Sequence, residues 1–297
     1  MRVPLPFQDT LFYTLLPDKL QVGMTDSMNP AFYARTKNIV CSILVGLALI
    51  TSCTETKWKL TGPGGDIISS DDDSNVPLLL REYYTEDAAL LSVRRMHQIG
   101  GSLSNEVIIP SDIILMFYKS LIRVYNAMDL AARDSVISMY DIHAARRVPD
   151  VVLHELIVSV SLSRQWTHAW QEGNRLTGNT QIDNLILEYD LELDSFTLTH
   201  SGTAGYALLI ADQPLNISAL ASHFEGIDGV NYAEANAWAG GSDDIIVSDV
   251  HWAWVLLDYS VGYGDCPAGC IYRRNWRFQV FFNNRVVYVG SWGDQAP

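Results

Sequence analysis

Clusters of basic residues are missing from this sequence. Its 297 residues include 20 Lys and Arg against 34 Asp and Glu, which gives a formal net charge of -14 at pH 7. A protein that neutralises nucleic-acid phosphates needs a basic face, so the composition excludes nucleic acid as the expected partner. The sequence also lacks a run of roughly 20 apolar residues, the length that a transmembrane helix requires. With 48% apolar and 18% charged residues, we expect one large domain or two modest ones with a sizeable core.

Complete catalytic and metal-binding motifs are lacking as well. His154 and Glu155 begin an H-E-x-x-H zinc motif, but Val158 stands where the second His is needed. Ser201 lies in Thr-His-Ser-Gly and not in a G-x-S-x-G elbow. The acidic triplet at 71–73 has neither the alternating oxygen donors nor the distant Glu of a calcium loop. The sequence therefore predicts no metal and no cofactor, and it names no catalytic residue.

A signal-like segment lies unusually far from the first residue. Arg35 and Lys37 precede an apolar run over 39–50, and small residues then lead to Cys53. A basic start, a short apolar stretch and small residues are the parts of a secretory signal. The ending Ile-Thr-Ser-Cys resembles the lipobox of bacterial lipoproteins, which implies that Cys53 is acylated and that residues 1–52 are upstream residues plus signal peptide. An ordinary signal with a chance cysteine and a buried core helix are the alternatives.

This resemblance implies an address and a membrane partner. Lipid on Cys53 would place the exported chain in the bacterial cell envelope, at the outer membrane or the cell surface. Residues 53–80 are rich in Gly, Pro and Asp, a composition typical of segments that cannot bury enough apolar surface to order themselves. We therefore expect a flexible tether over 53–80.

Helical periodicity follows in residues 81–150. Apolar residues recur at helical spacing over 85–97, after the capping-type Thr85, and again over 112–126. A third helix is expected over 129–140. Together they predict a helical N-terminal layer.

Residues 151–240 change to a pattern of alternating strands and helices. The order is strand, helix, strand, strand, helix, strand, with an additional Trp-rich helical turn after the first strand. This order is typical of the ferredoxin-like, split βαβ arrangement, in which both helices cover one face of a four-stranded antiparallel sheet. The expected strands are 153–162, 193–199, 206–210 and 230–235, and the expected helices are 181–189 and 216–224.

The end of this region resembles the last helix, turn and strand of subtilase propeptides. Gly229 and Val230 open a strand in which Tyr232, Glu234 and Asn236 alternate. Such propeptides are ferredoxin-like inhibitors and folding chaperones of their proteases. The resemblance covers about eighty residues at most, and no subtilase-like catalytic motif follows it.

Residues 241–297 read as an antiparallel β module. Aromatic residues alternate over 251–261 and 276–282, and Asn283-Asn284 is a hairpin signal. Residues 264–270, Gly-Asp-Cys-Pro-Ala-Gly-Cys, lie between the two aromatic stretches. This segment resembles a module of uncharacterised secreted and lipid-anchored bacterial proteins. In an exported chain, Cys266 and Cys270 are most simply a disulfide that shapes a turn. A metal site at this pair would need two further ligands, which the nearby sequence does not supply. A redox-active pair usually has two intervening residues at the start of a helix, whereas Cys266 and Cys270 are expected between strands.

The leading interpretation is an α+β, non-enzymatic envelope lipoprotein that binds a protein or a surface glycan. The candidate binding residues are Glu234, Trp238, Tyr263 and Asp265. An inhibitor of a subtilase-type protease, inserting residues 234–238 as an added strand, is the alternative. A hydrolase with an unrecognised site is the third hypothesis. A deep pocket lined by carboxylates or histidines would favour the hydrolase, and an exposed sheet face would favour the first two.

Overall fold

The computed structural model describes residues 65–145, 151–237, 240, 241, 243–266 and 269–295. It confirms the α+β class. Two antiparallel sheets, one of five strands and one of four, each pack against helices. All described residues belong to a unit that spans Lys57–Pro297. Within the described ranges, no helix has both the length and the apolar content that crossing a bilayer requires.

The helical layer begins earlier than predicted and ends differently. Helix α1 spans Leu78–Ile99 and α2 spans Ser111–Tyr125. Thr85 therefore lies inside α1, where its hydroxyl donates to the carbonyl of Arg81 four residues before, instead of capping it. The third predicted helix is divided into a short helix α3, Ala131–Asp134, and a π-helical turn, Ser135–Met139.

The five-stranded sheet combines the C-terminal module with a strand from the predicted tether. Its order is β1-β9-β8-β7-β6. The strands are β1 Gly65–Ile68, β6 Asp244–His251, β7 Trp254–Tyr263, β8 Tyr272–Phe281 and β9 Arg285–Gly293. The sequence predicted the last three and missed β1 and β6. One face of this sheet packs on α1 and α2 in a shared core that contains Leu90, Phe117, Leu257 and Phe278.

The tether prediction is wrong for residues 65–80. β1 pairs antiparallel with β9, Val76 is buried in the core, and α1 has begun by Leu78. The acidic triplet is not a solvated linker either, because Asp71 accepts from Arg123 at 3.1 Å and Asp73 accepts from Tyr118 at 2.6 Å. Long-range strand pairing and ion pairs order a segment whose own composition does not.

The four-stranded sheet has the predicted ferredoxin-like topology. In chain order, the elements are β2 Glu155–Ser161, α4 Thr167–Gln171, α5 Thr180–Glu188, β3 Leu191–Leu198, β4 Ala204–Ala211, α6 Ile217–Phe224 and β5 Val230–Ala235. The sheet order β3-β4-β2-β5 places the first and third strands at the centre. A second core lies between one face of this sheet and the helices, and it includes Leu156, Leu209, Ile182 and Phe224.

A histidine links the helical layer to the four-stranded sheet. His154 donates from Nδ1 to the carbonyl of Ala211 at 2.8 Å and from Nε2 to Glu86 at 2.9 Å. Because both ring nitrogens act as donors, the protonated imidazole fits this site best. The hydrogen bond to Glu86 is the main reason that the pKa of His154 is raised above its ordinary value.

The raised pKa of His154 predicts a pH-dependent contribution to stability. Its stabilising effect is fully present below the unfolded-state pKa and is lost as the pH rises through the higher folded-state pKa. We expect His154→Gln to lower the free energy of unfolding by less than about 1 kcal/mol, because the pair is partly exposed. The loss should be larger below about pH 6 than above about pH 8. Urea unfolding of both proteins at the two pH values measures it, and a pH-independent difference would contradict the assignment.

Candidate functional site

Among the residues that the structure describes, no helix packs on one face of the four-stranded sheet. Side chains directly opposite each other on paired strands point to the same face, so the strand registers identify its members. Three cross-strand rows make up what we call the helix-free face. They are Glu192, Ile210 and Glu155; Ser195, Leu208, Ile157 and Glu234; and Thr197, Tyr206, Ser159 and Tyr232. The opposite face buries the neighbouring positions against α5 and α6.

A groove with a volume of about 400 Å³ runs over the helix-free face. It is lined by residues of all four strands, including Ile157, Leu208, Tyr206, Tyr232 and Glu234. The two tyrosines are 38% and 41% exposed. Large aromatic side chains that remain this exposed on an ordered strand are available for contact with another molecule.

The two tyrosines of the groove act as a pair. Their ring centroids lie 6.4 Å apart with a tilted arrangement. The hydrogen bond with Tyr206 is the main reason that the pKa of Tyr232 is raised, and the nearby charge of Glu234 acts in the same direction. The raised pKa indicates that Tyr232 keeps its proton in this hydrogen bond, so the pair presents exposed aromatic rings whose hydroxyls are linked to each other.

Carboxylates dominate the charge of the helix-free face. Glu234 is exposed on β5, and Glu155 accepts a hydrogen bond from the Asn236 side chain at 2.5 Å. Glu192 lies at the margin, where Arg175 pairs with it at 3.0 Å. None of the residues in the three rows is a Lys or an Arg. The face therefore suits a cationic ligand and repels an anionic one.

The structure separates the candidate residues that the sequence proposed. Glu234 lies on the helix-free face, whereas Tyr263 and Asp265 lie at the end of β7 in the other sheet. The Tyr263 ring stacks on Tyr272 at 5.4 Å, and its hydroxyl donates to the carbonyl of Gln295 at 2.7 Å. Trp238 and the lipidation candidate Cys53 lie outside the described residues.

The predicted disulfide is present. The sulfur atoms of Cys266 and Cys270 lie at bonding distance. The loop is held by Gly241, whose N–H donates to the carbonyl of Cys266 at 2.6 Å. A Cβ at position 241 would collide with the backbone and sulfur of Cys270, so this approach requires glycine. The disulfide therefore shapes a contact between two loops.

A second cavity, of about 420 Å³, was not expected from the sequence. It is lined by Tyr83, Glu86, Asp87, His143 and Ala145. Asp87 and His143 are buried, and their carboxylate and Nδ1 atoms lie 2.6 Å apart. Asp87 also accepts from the backbone N–H of Ala145 at 2.8 Å. This arrangement orients the His143 ring with Nδ1–H toward Asp87, and Nε2 is the nitrogen that faces Asp141.

A second carboxylate lies near the other nitrogen of His143. His143 Nε2 lies 3.5 Å from Asp141 Oδ1, at the exposed end of the pair. Across the described part of the chain, no group of three or more His, Cys, Asp or Glu is arranged to hold a metal ion. Among the described residues that line the cavity there is no Ser, Thr or Cys, and Tyr83 supplies the hydroxyl group.

Some signals for these sites are visible in the sequence and others are not. Tyr232 and Glu234 alternate on β5, which indicates a common face. Strand β4 is apolar on both faces, so nothing local shows that Tyr206 and Leu208 face away from the helices. Asp87 and His143 are 56 positions apart and match no motif.

Comparison with known proteins gives no further guidance. No protein-family model matches the sequence, and the searches of curated proteins and of solved structures found no match. The functional argument therefore rests on the geometry of the helix-free face and of the Asp87–His143 cavity.

Proposed function

We propose that the chain is an exported, lipid-anchored envelope protein that binds a partner protein through its helix-free face. The observation that carries the proposal is the grooved face of the four-stranded sheet, which keeps Tyr206 and Tyr232 exposed beside Glu234. Tyrosines are frequent energetic centres of protein interfaces because they bury a large ring at a low entropy cost.

The chemistry of the face selects a cationic partner segment. Glu234 and Glu155 supply charge on rows that contain no cation. Lys or Arg side chains of a partner would pair with the carboxylates and lie over the tyrosine rings. Between these groups, Ile157 and Leu208 provide an apolar floor. We therefore propose a basic, partly apolar segment as the ligand, with a surface glycan as the competing outcome.

Site-specific photocrosslinking in the native host tests the location of this interface. Benzoylphenylalanine at position 232 should give a discrete protein adduct, and the same group at position 222 should not, because Ser222 is exposed on the helix-covered side. Mass spectrometry identifies the adduct. Equal labelling from both positions, or a glycan adduct at 232, would contradict the proposal.

Charge reversal on β5 provides the quantitative prediction. We expect Glu234→Arg to weaken binding of the identified partner by at least about tenfold, because like charges would then face each other. The matched control is Glu225→Arg, an exposed carboxylate at the end of α6. It should change the dissociation constant by less than about twofold. Isothermal calorimetry measures both, and equal effects would indicate long-range electrostatics without a specific site.

The membrane address is tested independently of the partner. Intact-mass spectrometry of the protein from native membranes should find a diacyl or triacyl chain that starts at Cys53. The Cys53→Ala variant should lack this mass and leave the membrane fraction. An unlipidated wild-type product would contradict the address and leave the binding face to be judged by crosslinking.

Inhibition of a subtilase-type protease remains the alternative form of binding. Its support is that β5 is an edge strand of the sheet, which an extended chain can join. Residues 234–238 would then enter the groove of the protease. Titration against a panel of subtilisin-like proteases decides this, since an inhibitor abolishes activity at about equal concentrations of the two proteins.

Hydrolysis is a second candidate function, and the Asp87–His143 cavity is the observation that favours it. His143 would take a proton from a water molecule while Asp87 stabilises the imidazolium. The carboxylates of the cavity favour neutral or cationic esters over anionic ones. Turnover of p-nitrophenyl acetate that disappears in a folded His143→Gln variant would support it, and equal rates in the two proteins would oppose it.

A further inference from the structure

Two hairpins and the end of β1 meet at one end of the five-stranded sheet. His251 pairs with Trp254 across the β6–β7 hairpin, and Trp254 pairs in turn with Phe281 of β8. Arg285 opens β9 and pairs with Ile68 of β1. We call this group, residues 68, 251–254 and 281–285, the hairpin end of the sheet.

The hairpin end is rich in exposed apolar and aromatic surface. Trp252, in the β6–β7 turn, is 85% exposed, and Ile68 is 71% exposed. His251 stacks on Trp254 at 5.2 Å and lies 5.3 Å from the ring of Trp252. A tryptophan this exposed on an ordered turn has lost nearly all of the burial that normally stabilises it. Such a side chain indicates a surface that another phase or molecule covers.

An arginine and a histidine flank these aromatic rings. The Arg285 guanidinium lies 4.9 Å from the centre of the Phe281 ring and forms an ion pair with Asp66. Tryptophan with nearby Arg and His is the composition that favours the boundary between lipid headgroups and acyl chains. The large negative net charge of the chain disfavours anionic lipids, so zwitterionic headgroups match this end better.

We propose that the hairpin end inserts Trp252 into the headgroup region of a zwitterionic bilayer and so orients the protein on its membrane. This inference rests on the proposed lipid anchor. Residues 54–65 connect Cys53 to the start of β1, and a fully extended chain of that length spans at most about 40 Å. A tether of this length holds the module at a high local concentration near the bilayer, so a weak second contact suffices to orient it.

The orientation has a consequence for the binding site. The four-stranded sheet is a separate layer with its own core, and its helix-free face has none of the exposed tryptophan that marks the hairpin end. In a fixed orientation, the five-stranded sheet would contact lipid and the four-stranded sheet would bind the partner. Loss of Trp252 should therefore free the module to rotate without changing the intrinsic affinity of the helix-free face.

An environment-sensitive dye tests the contact in the full lipidated chain. With Cys53 acylated and Cys266 bonded to Cys270, Asn283→Cys introduces a reactive thiol for the dye in the exposed β8–β9 turn of the hairpin end and keeps Trp252 in place. The labelled protein is reconstituted in vesicles of phosphatidylethanolamine and phosphatidylcholine. Nitroxide-labelled lipids should quench a dye at position 283 several-fold more than a dye at position 272, introduced by Tyr272→Cys at the other end of the same sheet. Adding Trp252→Ala should abolish this difference.

The outcomes separate the two proposals. Equal quenching at the two positions in a protein whose mass shows the lipid would overturn the orientation and leave the anchor intact. A mass without lipid would overturn the proposed address instead. The unlipidated protein would then be mixed with the same vesicles, and absence of quenching at position 283 would overturn the insertion as well. Protection of the dye at position 283 by a soluble glycan in place of vesicles would also count against insertion.

Discussion

Replacing Asp87 with Ala is expected to lower the free energy of unfolding by about 3 to 5 kcal/mol, among the largest single losses in the molecule. Asp87 is fully buried on α1, and its two oxygens accept from His143 and from the backbone of Ala145. Its removal leaves the buried His143 and the half-buried backbone N–H of Ala145 without this acceptor. Urea unfolding, followed by circular dichroism, measures the loss.

A matched control comes from the other carboxylate near the same histidine. Asp141 Oδ1 lies 3.5 Å from His143 Nε2, and the Asp141 side chain is half exposed. Its positive φ of 48° favours Asn over Ala as the replacement. Asp141→Asn should therefore change stability by less than about 0.5 kcal/mol.

Urea unfolding also tests how much the buried Asp87–His143 pair contributes to stability. If Asp87 and His143 act only on each other, the double Ala variant should lose much less than the two single losses added together. An Asp87→Ala variant that loses less than about 1 kcal/mol would show that packing does not need this pair. The hydrolase candidate would gain support from that result, because a costly buried pair that does not stabilise the fold needs another reason to exist.

The sequence predicted those elements whose local pattern agrees with their final environment. Residues 230–235 were predicted and observed as a strand, because Gly229, at a positive φ of 99°, supplies the turn before an alternating segment. The order of strands and helices in residues 151–237 was enough to predict the ferredoxin-like sheet. That order leaves few chain paths that bury both helices on one face.

The elements that the sequence missed are stabilised by distant partners. Gly65–Ile68 is a strand because β9, more than 200 residues later, supplies its hydrogen bonds and Arg285 pairs with Asp66. Asp244–His251 is polar on one side and was assigned no structure, yet Arg94 of α1 binds Asp244 at 2.9 Å and fixes it against the core. Short strands of this kind carry little local information about their pairing.

The helix-free face also combines features that the local pattern predicts with features that depend on distant parts of the chain. Alternation on β5 placed Tyr232 and Glu234 on one face, but whether a helix covers that face depends on the whole domain. Tyr206 joins them only because β4 lies one strand beyond β2 in the sheet. The strand spacing of Trp252, Trp254 and Trp276 predicts that all three lie on a buried face, and this is wrong for Trp252 and Trp254. Trp276 pairs with Tyr259 on the core side, whereas Trp254 is one position out of phase and points to the other face.

A comparison of two aromatic residues tests whether the helix-free face is open. Phe224 of α6 is fully buried against the four-stranded sheet, and Tyr232 is on the opposite face of that sheet. We expect Phe224→Ala to lower the free energy of unfolding by about 3 to 5 kcal/mol, because it removes a large side chain from a closed core. Tyr232→Ala should cost less than about 1 kcal/mol, since the ring is 41% exposed.

The functional argument depends on how the loss in free energy of unfolding for Tyr232→Ala compares with that for Phe224→Ala. Aromatic rings usually stabilise a protein when they are buried in its core. An exposed tyrosine pair that contributes little to the free energy of unfolding is therefore available for binding. If Tyr232→Ala destabilised the isolated protein as strongly as Phe224→Ala, another part of the chain would have to cover the helix-free face. The proposed partner site would then be an internal interface. A small loss on folding combined with a large loss of partner binding is the result that only an open docking face explains.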